Sequence, residues 1–119
     1  MVYIVDDDEA VRDSLKLLLE SYGMKVEDYP STDAFCTGYR PDGRDCLILD
    51  HNLPGVSGLD FLSSAQGIGL DVPVILMTGQ GDDAIRRRAL QLRVAGYFEK
   101  PIDDQALIAA IQRATSGGH

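Results

Sequence analysis

Three carboxylates, a hydroxyl and an ammonium follow short apolar runs in this chain. Asp6 and Asp7 come after residues 2–5, Asp50 after 46–49, Thr78 after 74–77, and Lys100 just beyond 96–98. As strands of one parallel sheet, these runs would bring all five groups to its carboxyl edge, where ligands of open α/β sheets bind. Carboxylates about 5 Å apart repel by roughly 3 kcal/mol at an effective dielectric near 20, so three together demand a cation or raised pKa values. Oxygen-only ligands favour a hard ion, and an incomplete protein shell leaves places for water and a phosphate oxygen, which points to Mg2+. Lys100 cannot ligate a metal while protonated; its natural partner is an anionic oxygen. Mg2+, Lys100 and Thr78 would together neutralise and hydrogen-bond a phosphoryl group, with Asp50 as the nucleophile that receives it.

The positioning elements follow from periodicity. Apolar runs begin at residues 2, 24, 46, 74 and 96, spacings of 22, 22, 28 and 22 that each leave room for one helix and two loops. That pattern predicts βα units and a parallel sheet. Val11, Leu15, Leu18, Leu19 and Tyr22 make one stripe of a first helix, with Asp8 as its cap and Gly23 as its terminator. Ser31 caps a short second helix carrying Ala34 and Phe35, followed by a turn-rich stretch over 38–43. A third helix holds Leu59, Phe61 and Leu62, and a fourth runs from about Asp82 to Leu92. The last sets Leu107, Ile108, Ile111 and Ala114 behind Asp103 as a cap, before a frayed tail at 116–119. Runs 2–5, 46–49 and 74–77 are continuously apolar, as in strands covered on both faces, whereas 24–28 alternates with Lys25 and Glu27 and reads as an edge.

A length of 119 residues, 45% hydrophobic and 25% charged, predicts one globular domain over 1–119 that needs neither disulfides nor a structural metal. The net charge of -8 argues against unaided binding to nucleic acid or to anionic membranes. With no membrane-length apolar run and no signal-peptide pattern, a cytoplasmic protein is the simplest expectation. Cys36 and Cys46 lack metal or redox spacing and read as reduced packing thiols.

Taken in order, these pieces resemble the response-regulator receiver domain of two-component signalling, over nearly the whole chain. Asp6-Asp7 after Val2-Tyr-Ile-Val5 is similar to the family's acidic pair, and Leu47-Ile-Leu-Asp50-His-Asn-Leu-Pro54-Gly-Val-Ser-Gly58 to its phosphoacceptor segment. Val74-Ile-Leu-Met-Thr78-Gly79 resembles the switch-threonine strand, and Tyr97-Phe-Glu-Lys100-Pro101 the final strand, where the family has a cis bond before proline. The wording of Thr78-Gly-Gln-Gly-Asp82 and Phe98-Glu-Lys-Pro101 is most similar to FixJ-type regulators. The resemblance implies a five-stranded parallel, doubly wound (βα)5 sheet of the CheY-like, flavodoxin-like kind with strand order 2-1-3-4-5. It implies a sensor histidine kinase whose phosphohistidine donates to Asp50. Asp7, Asp50 and the backbone carbonyl of Asn52 would ligate Mg2+, with Asp6 acting mainly through water. Lys100 would pair with the phosphoryl group and Thr78 would swing towards it. Tyr97 would then turn inward and change the face made by the fourth helix, fifth strand and fifth helix. Asn52 also stands where the family tunes attack by water on the acyl phosphate. Such a domain promotes its own phosphorylation and dephosphorylation and is not a turnover enzyme. The implied output is a phosphorylation-dependent homodimer through the fourth helix and fifth strand, with or without the fifth helix. A DNA-binding domain C-terminal to this chain is expected with it; the alternative is a stand-alone phosphotransfer and interaction module, and gene length separates the two.

One stretch departs from the family. Leu92-Arg93-Val94 stands where a small Ala-Gly turn is usual, with Ala95-Gly96 two residues onward, so the fourth helix is expected to end differently. The same helix carries Arg86-Arg-Arg88, either a solvated face or a contact for an acidic partner. Plainer readings stand beside the others: Asp6 to Asp8 as a helix cap, Asp50 as a loop carboxylate, Thr78 as a turn former, Lys100 as a solvated side chain and Tyr97 as a packing aromatic. Alternation points His51 away from Asp50, which favours a non-catalytic role. A haloacid-dehalogenase-type phosphohydrolase would use Asp6 as nucleophile in Asp6-x-Asp8, with Thr78, Lys100 and Asp103-Asp104, but leaves Asp50 and its Pro54/Gly58 segment unexplained. A flavodoxin-like FMN binder needs a phosphate loop rich in Ser, Thr and Gly, where Asp6 to Asp8 would repel the ligand.

Overall fold

The computed structural model describes residues 1–40, 43–64 and 69–116. Strands β1 (Val2–Val5), β2 (Val26–Tyr29), β3 (Cys46–Asp50), β4 (Val74–Thr78) and β5 (Gly96–Glu99) alternate with helices α1 (Glu9–Ser21), α2 (Thr32–Gly38), α3 (Gly58–Ser63), α4 (Asp83–Gln91) and α5 (Asp104–Ser116). All four strand pairings are parallel and the order is β2-β1-β3-β4-β5, the doubly wound topology expected.

Period-2 alternation divides the core between the two faces of the sheet. Val2, Ile4, Cys46, Ile48, Ile75 and Met77 cluster with Leu19 of α1 and with Leu107, Ile108 and Ile111 of α5. Tyr3, Val5, Leu47, Leu49, Val74 and Leu76 cluster instead with Phe35 of α2, with Leu59, Phe61 and Leu62 of α3, and with Ala89 of α4. Strands covered on both sides cannot alternate in polarity, which is why β1, β3 and β4 read as unbroken apolar runs. Each fully buried Leu or Ile contributes about 2 kcal/mol.

Helix starts are fixed by side-chain caps. Asp8, Ser31, Ser57, Asp82 and Asp103 each accept a hydrogen bond from a backbone N–H of the first turn, at Ala10, Ala34, Asp60, Ile85 and Ala106. Because each cap follows its strand by a short loop, the N-termini of these described helices border the carboxyl edge of the sheet.

Some boundaries differ from expectation. The second strand starts at Val26, not at residue 24, because Gly23 (φ 81) and Met24 donate to Glu20 and Leu19 and complete the C-terminal turn of α1. That turn also leaves Tyr22 exposed, so it lies outside the α1 stripe that Leu15, Leu18 and Leu19 bury. The departure at 92–94 has the same construction: Arg93 and Val94 donate to Leu90 and Ala89, and Arg93 takes the left-handed conformation (φ 59) that glycine takes after α1. Helix α5 extends through Ser116; residues 117–119 of the expected tail, and Pro41 and Asp42 of the expected turn, lie outside the described residues. Among the described residues no helix is long and apolar enough to cross a membrane.

Candidate metal and phosphoryl site

Register brings the carboxylates together. Val5 pairs with Leu49 across β1 and β3, so the next residues, Asp6 and Asp50, emerge side by side at the carboxyl edge. Asp6 is 0% exposed and Asp50 2%, while Asp7 faces solvent. One carboxylate oxygen from each of the three lies within 4.8 Å of the others. Asp6 Oδ1 accepts the Asp8 N–H at 2.9 Å and Asp50 Oδ1 the Asn52 N–H at 3.1 Å, which fixes both side chains. Lys100 Nζ stands 3.5 Å from Asp6 Oδ2 and 3.7 Å from Asp50 Oδ1. Burial holds the Asp6 carboxyl above its ordinary range and the charge on Asp50 adds to this, against the Asp8 N–H and the Lys100 ammonium. An oxygen-only cluster open on the Asp7 side suits a hard divalent cation and water.

Thr78 ends β4 on the face that carries Leu76, fully buried. Its hydroxyl donates to Asn52 Oδ1 at 3.1 Å, and the same oxygen accepts the Gly79 N–H at 2.7 Å. The side chain of Asn52 therefore links the loop after β3 to the loop after β4. Tyr97 pairs with Leu76 across β4 and β5 and packs among the residues facing α4, its ring 5.8 Å from the Arg86 guanidinium and its hydroxyl against Gly81. Lys100 precedes a cis bond to Pro101. His51 turns from the carboxylates towards α3, where Nδ1 accepts the Leu59 N–H at 3.4 Å, and burial followed by the charge of Arg88 lowers its pKa.

Asp6, Asp7, Asp50 and Lys100 thus form one cluster, Thr78 and Asn52 border it, and Tyr97 lies on the α4 side of the sheet. Asp8 and Asp103, invoked by the phosphohydrolase alternative, are both committed to helix caps. Arg86 pairs with Glu99 and Asp83, and Arg88 with Asp60, so much of the basic run is neutralised within the protein.

Two contributions were absent from the expectations. Arg12 donates through one guanidinium nitrogen to the Asp6 carbonyl oxygen at 2.8 Å and through Nε to Asp28 at 3.0 Å, tying α1 and the end of β2 to the acidic loop. Gly58 lets α3 start directly against the β3 end, since a Cβ there would fall 2.7 Å from the Asp50 carbonyl oxygen. A basic residue one turn after the Asp8 cap was the only sequence sign of the first; the glycine itself was the sign of the second.

The chain is thus a parallel five-stranded α/β protein with a carboxylate cluster, a lysine and a strand-end threonine at the carboxyl edge of its sheet. The family model described as "Response regulator receiver domain" matches residues 2–112. The transcriptional regulatory protein FixJ of Azorhizobium caulinodans is 44% identical over 116 residues, covering 98% of this chain and 54% of that protein. The structure of response regulator StyR superposes with a TM-score of 0.87 at 33% identity, covering 98% of this chain and 59% of StyR. Full-length FixJ from B. japonicum gives a TM-score of 0.79 at 32% identity, with 98% and 59% coverage. The chain belongs to the response regulator receiver domain family. It spans about half the length of the curated relatives it matches.

Proposed function

We propose that this domain accepts a phosphoryl group on Asp50 from the phosphohistidine of a sensor histidine kinase and converts that event into a change at α4, β5 and α5. The observation that carries the reading is the cluster of Asp6, Asp7 and Asp50 oxygens within 4.8 Å with Lys100 beside it, at the carboxyl edge of the sheet. Asp7, Asp50 and the Asn52 backbone carbonyl would hold Mg2+, with Asp6 acting through water, and the ion supplies positive charge that offsets the phosphoryl oxygens. An Asp50 carboxylate oxygen attacks phosphorus, the phosphorus–nitrogen bond breaks, and the leaving imidazole takes a proton from solvent. Lys100, released from Asp6, pairs with a phosphoryl oxygen.

Thr78 and Tyr97 share the α4 side of the sheet, so movement of the threonine towards Asp50 opens space into which Tyr97 turns. Leu90, 70% exposed on α4, and the Arg86–Glu99 pair between α4 and β5 offer apolar and charged parts for a second copy of the domain. With residues 1–119 as one receiver unit, its resemblance to transcriptional regulators supports a role as the cytoplasmic regulatory part of such a protein. A C-terminal DNA-binding domain would then execute the output.

Intact mass after incubation with acetyl phosphate tests the chemistry, with and without Mg2+, on wild type, Asp50→Asn and Asp6→Asn. A Mg2+-dependent phosphoryl adduct lost in Asp50→Asn is expected. An adduct that survives Asp50→Asn but disappears in Asp6→Asn would move the nucleophile to Asp6 and overturn the reading.

A further inference from the structure

The geometry points to the Asn52 carboxamide as a latch that holds Thr78 and the loop after β4 in the resting state by competing with a phosphoryl group for the Thr78 proton. The inference rests on the receiver reading above and adds to it a residue whose side chain sets the balance between the two states.

A threonine hydroxyl has one proton to give. In this structure it goes to Asn52 Oδ1, while the hydroxyl oxygen accepts the Gln80 N–H at 3.3 Å. Thr78 is fully buried, so water does not readily replace either partner. A phosphoryl oxygen on Asp50 can take that proton only if the Thr78–Asn52 bond breaks. The same Asn52 oxygen accepts the Gly79 N–H at 2.7 Å, so movement of Thr78 also frees the first residue of the loop leading to α4. Asn52 is itself held to the phosphoacceptor, because its backbone N–H donates to Asp50 Oδ1. One carboxamide oxygen thus links the residue to be modified with the residue that responds. A ligand shifts such an equilibrium only by the difference between its affinities for the two states, so removing the resting-state bond makes the switch easier to drive.

Asn52 is solvent-exposed, which makes its substitution tolerable. The test compares wild type, Asn52→Ala, Asn52→Asp and Asp50→Asn by titration with beryllofluoride, a phosphoryl mimic, at saturating Mg2+. Mg2+ affinity and hydrogen exchange of the Gly79 amide are measured alongside. Asn52→Ala should bind beryllofluoride about three- to tenfold more tightly, the worth of one net hydrogen bond, a gain larger than any change in Mg2+ affinity, with faster Gly79 exchange. Asn52→Asp, which keeps an acceptor at the same place, should retain slow Gly79 exchange. Unchanged or weaker beryllofluoride binding in Asn52→Ala, an equal gain for Mg2+, or unaltered Gly79 exchange overturns the latch while leaving the receiver reading in place. A wild type with no Asp50-dependent beryllofluoride binding overturns both.

Discussion

Lys100 Nζ lies 3.5 Å from Asp6 Oδ2, which makes this ammonium the counter-ion of a carboxylate that has no exposure to water. It stands almost as near Asp50, so in the metal-free state it moderates a repulsion that would amount to roughly 3 kcal/mol per ionised carboxylate pair. Lys100→Met should therefore lower metal-free stability at pH 7 by about 1–3 kcal/mol, because it leaves buried charge without its partner. Mg2+ affinity should rise, since the ion no longer competes with an ammonium, while phosphorylation from acetyl phosphate falls. Urea denaturation with and without Mg2+ reads both effects, and a variant that binds Mg2+ more weakly would contradict this placement of the charge.

How much of this was legible beforehand depends on the kind of interaction. The parallel sheet, the two-faced core and the convergence of Asp6, Asp50, Thr78 and Lys100 follow from apolar runs and from a rule about sheet edges, whereas the strand order came from the resemblance to receiver domains. The Asn52–Thr78 bond spans 26 residues and depends on the rotamer of one amide, so no periodicity announces it. Arg12 left no sign beyond its place one turn after the Asp8 cap, since its partners are a carbonyl oxygen and an edge-strand carboxylate that only the β1–β2 pairing brings within reach. The start of β2 and the exposure of Tyr22 were misjudged because the helix-terminating turn at Gly23 consumes residues that hydropathy alone assigns to a strand and a stripe.

Asp6 provides a pH test. Its folded pKa lies above the ordinary 3.8, chiefly through burial, so the folded state holds this proton more strongly than the unfolded chain does. The associated stability is fully present below 3.8 and is lost as pH rises through the folded value. Asp6→Asn, which cannot ionise, should match or fall slightly below wild type in acid and exceed it at neutral pH without Mg2+. Saturating Mg2+ should reverse the order by stabilising only the wild type strongly. Urea midpoints between pH 3 and pH 7 measure the crossing; parallel curves for the two proteins would mean that Asp6 is not the strained carboxylate.

Gly58 reports on the seating of α3. A methyl group there would meet the Asp50 carbonyl oxygen at 2.7 Å and the His51 Cα at 3.0 Å, both backbone atoms that cannot turn aside. Gly58→Ala should cost about 1–3 kcal/mol of stability and displace the Asp50 carboxylate, slowing phosphorylation even where the variant is folded. Thermal unfolding together with the rate of adduct formation separates the two consequences. A folded variant with wild-type phosphorylation kinetics would show that the β3 end tolerates displacement.

Arg93 and Gly23 occupy equivalent places after α4 and α1, each in the left-handed region, with φ 59 and φ 81 respectively. The hydrogen bonds that close the two turns match, with the second residue after the cap donating to the residue five earlier in both cases. An L-residue other than glycine held in this conformation costs about 1–2 kcal/mol, and the extra freedom of glycine in the unfolded chain returns part of that. Arg93→Gly should thus stabilise the domain by about 0.5–1 kcal/mol, and Gly23→Ala, where no atom crowds the new Cβ, should destabilise it by about 1 kcal/mol through backbone strain alone. Arg93 stands at the opposite end of β5 from Lys100, so acetyl phosphate should label Arg93→Gly as it does wild type. Denaturant midpoints decide the matter. A loss of stability in Arg93→Gly would mean that contacts of the Arg93 side chain outweigh the strain, and that the departure at Leu92-Arg93-Val94 is maintained by packing.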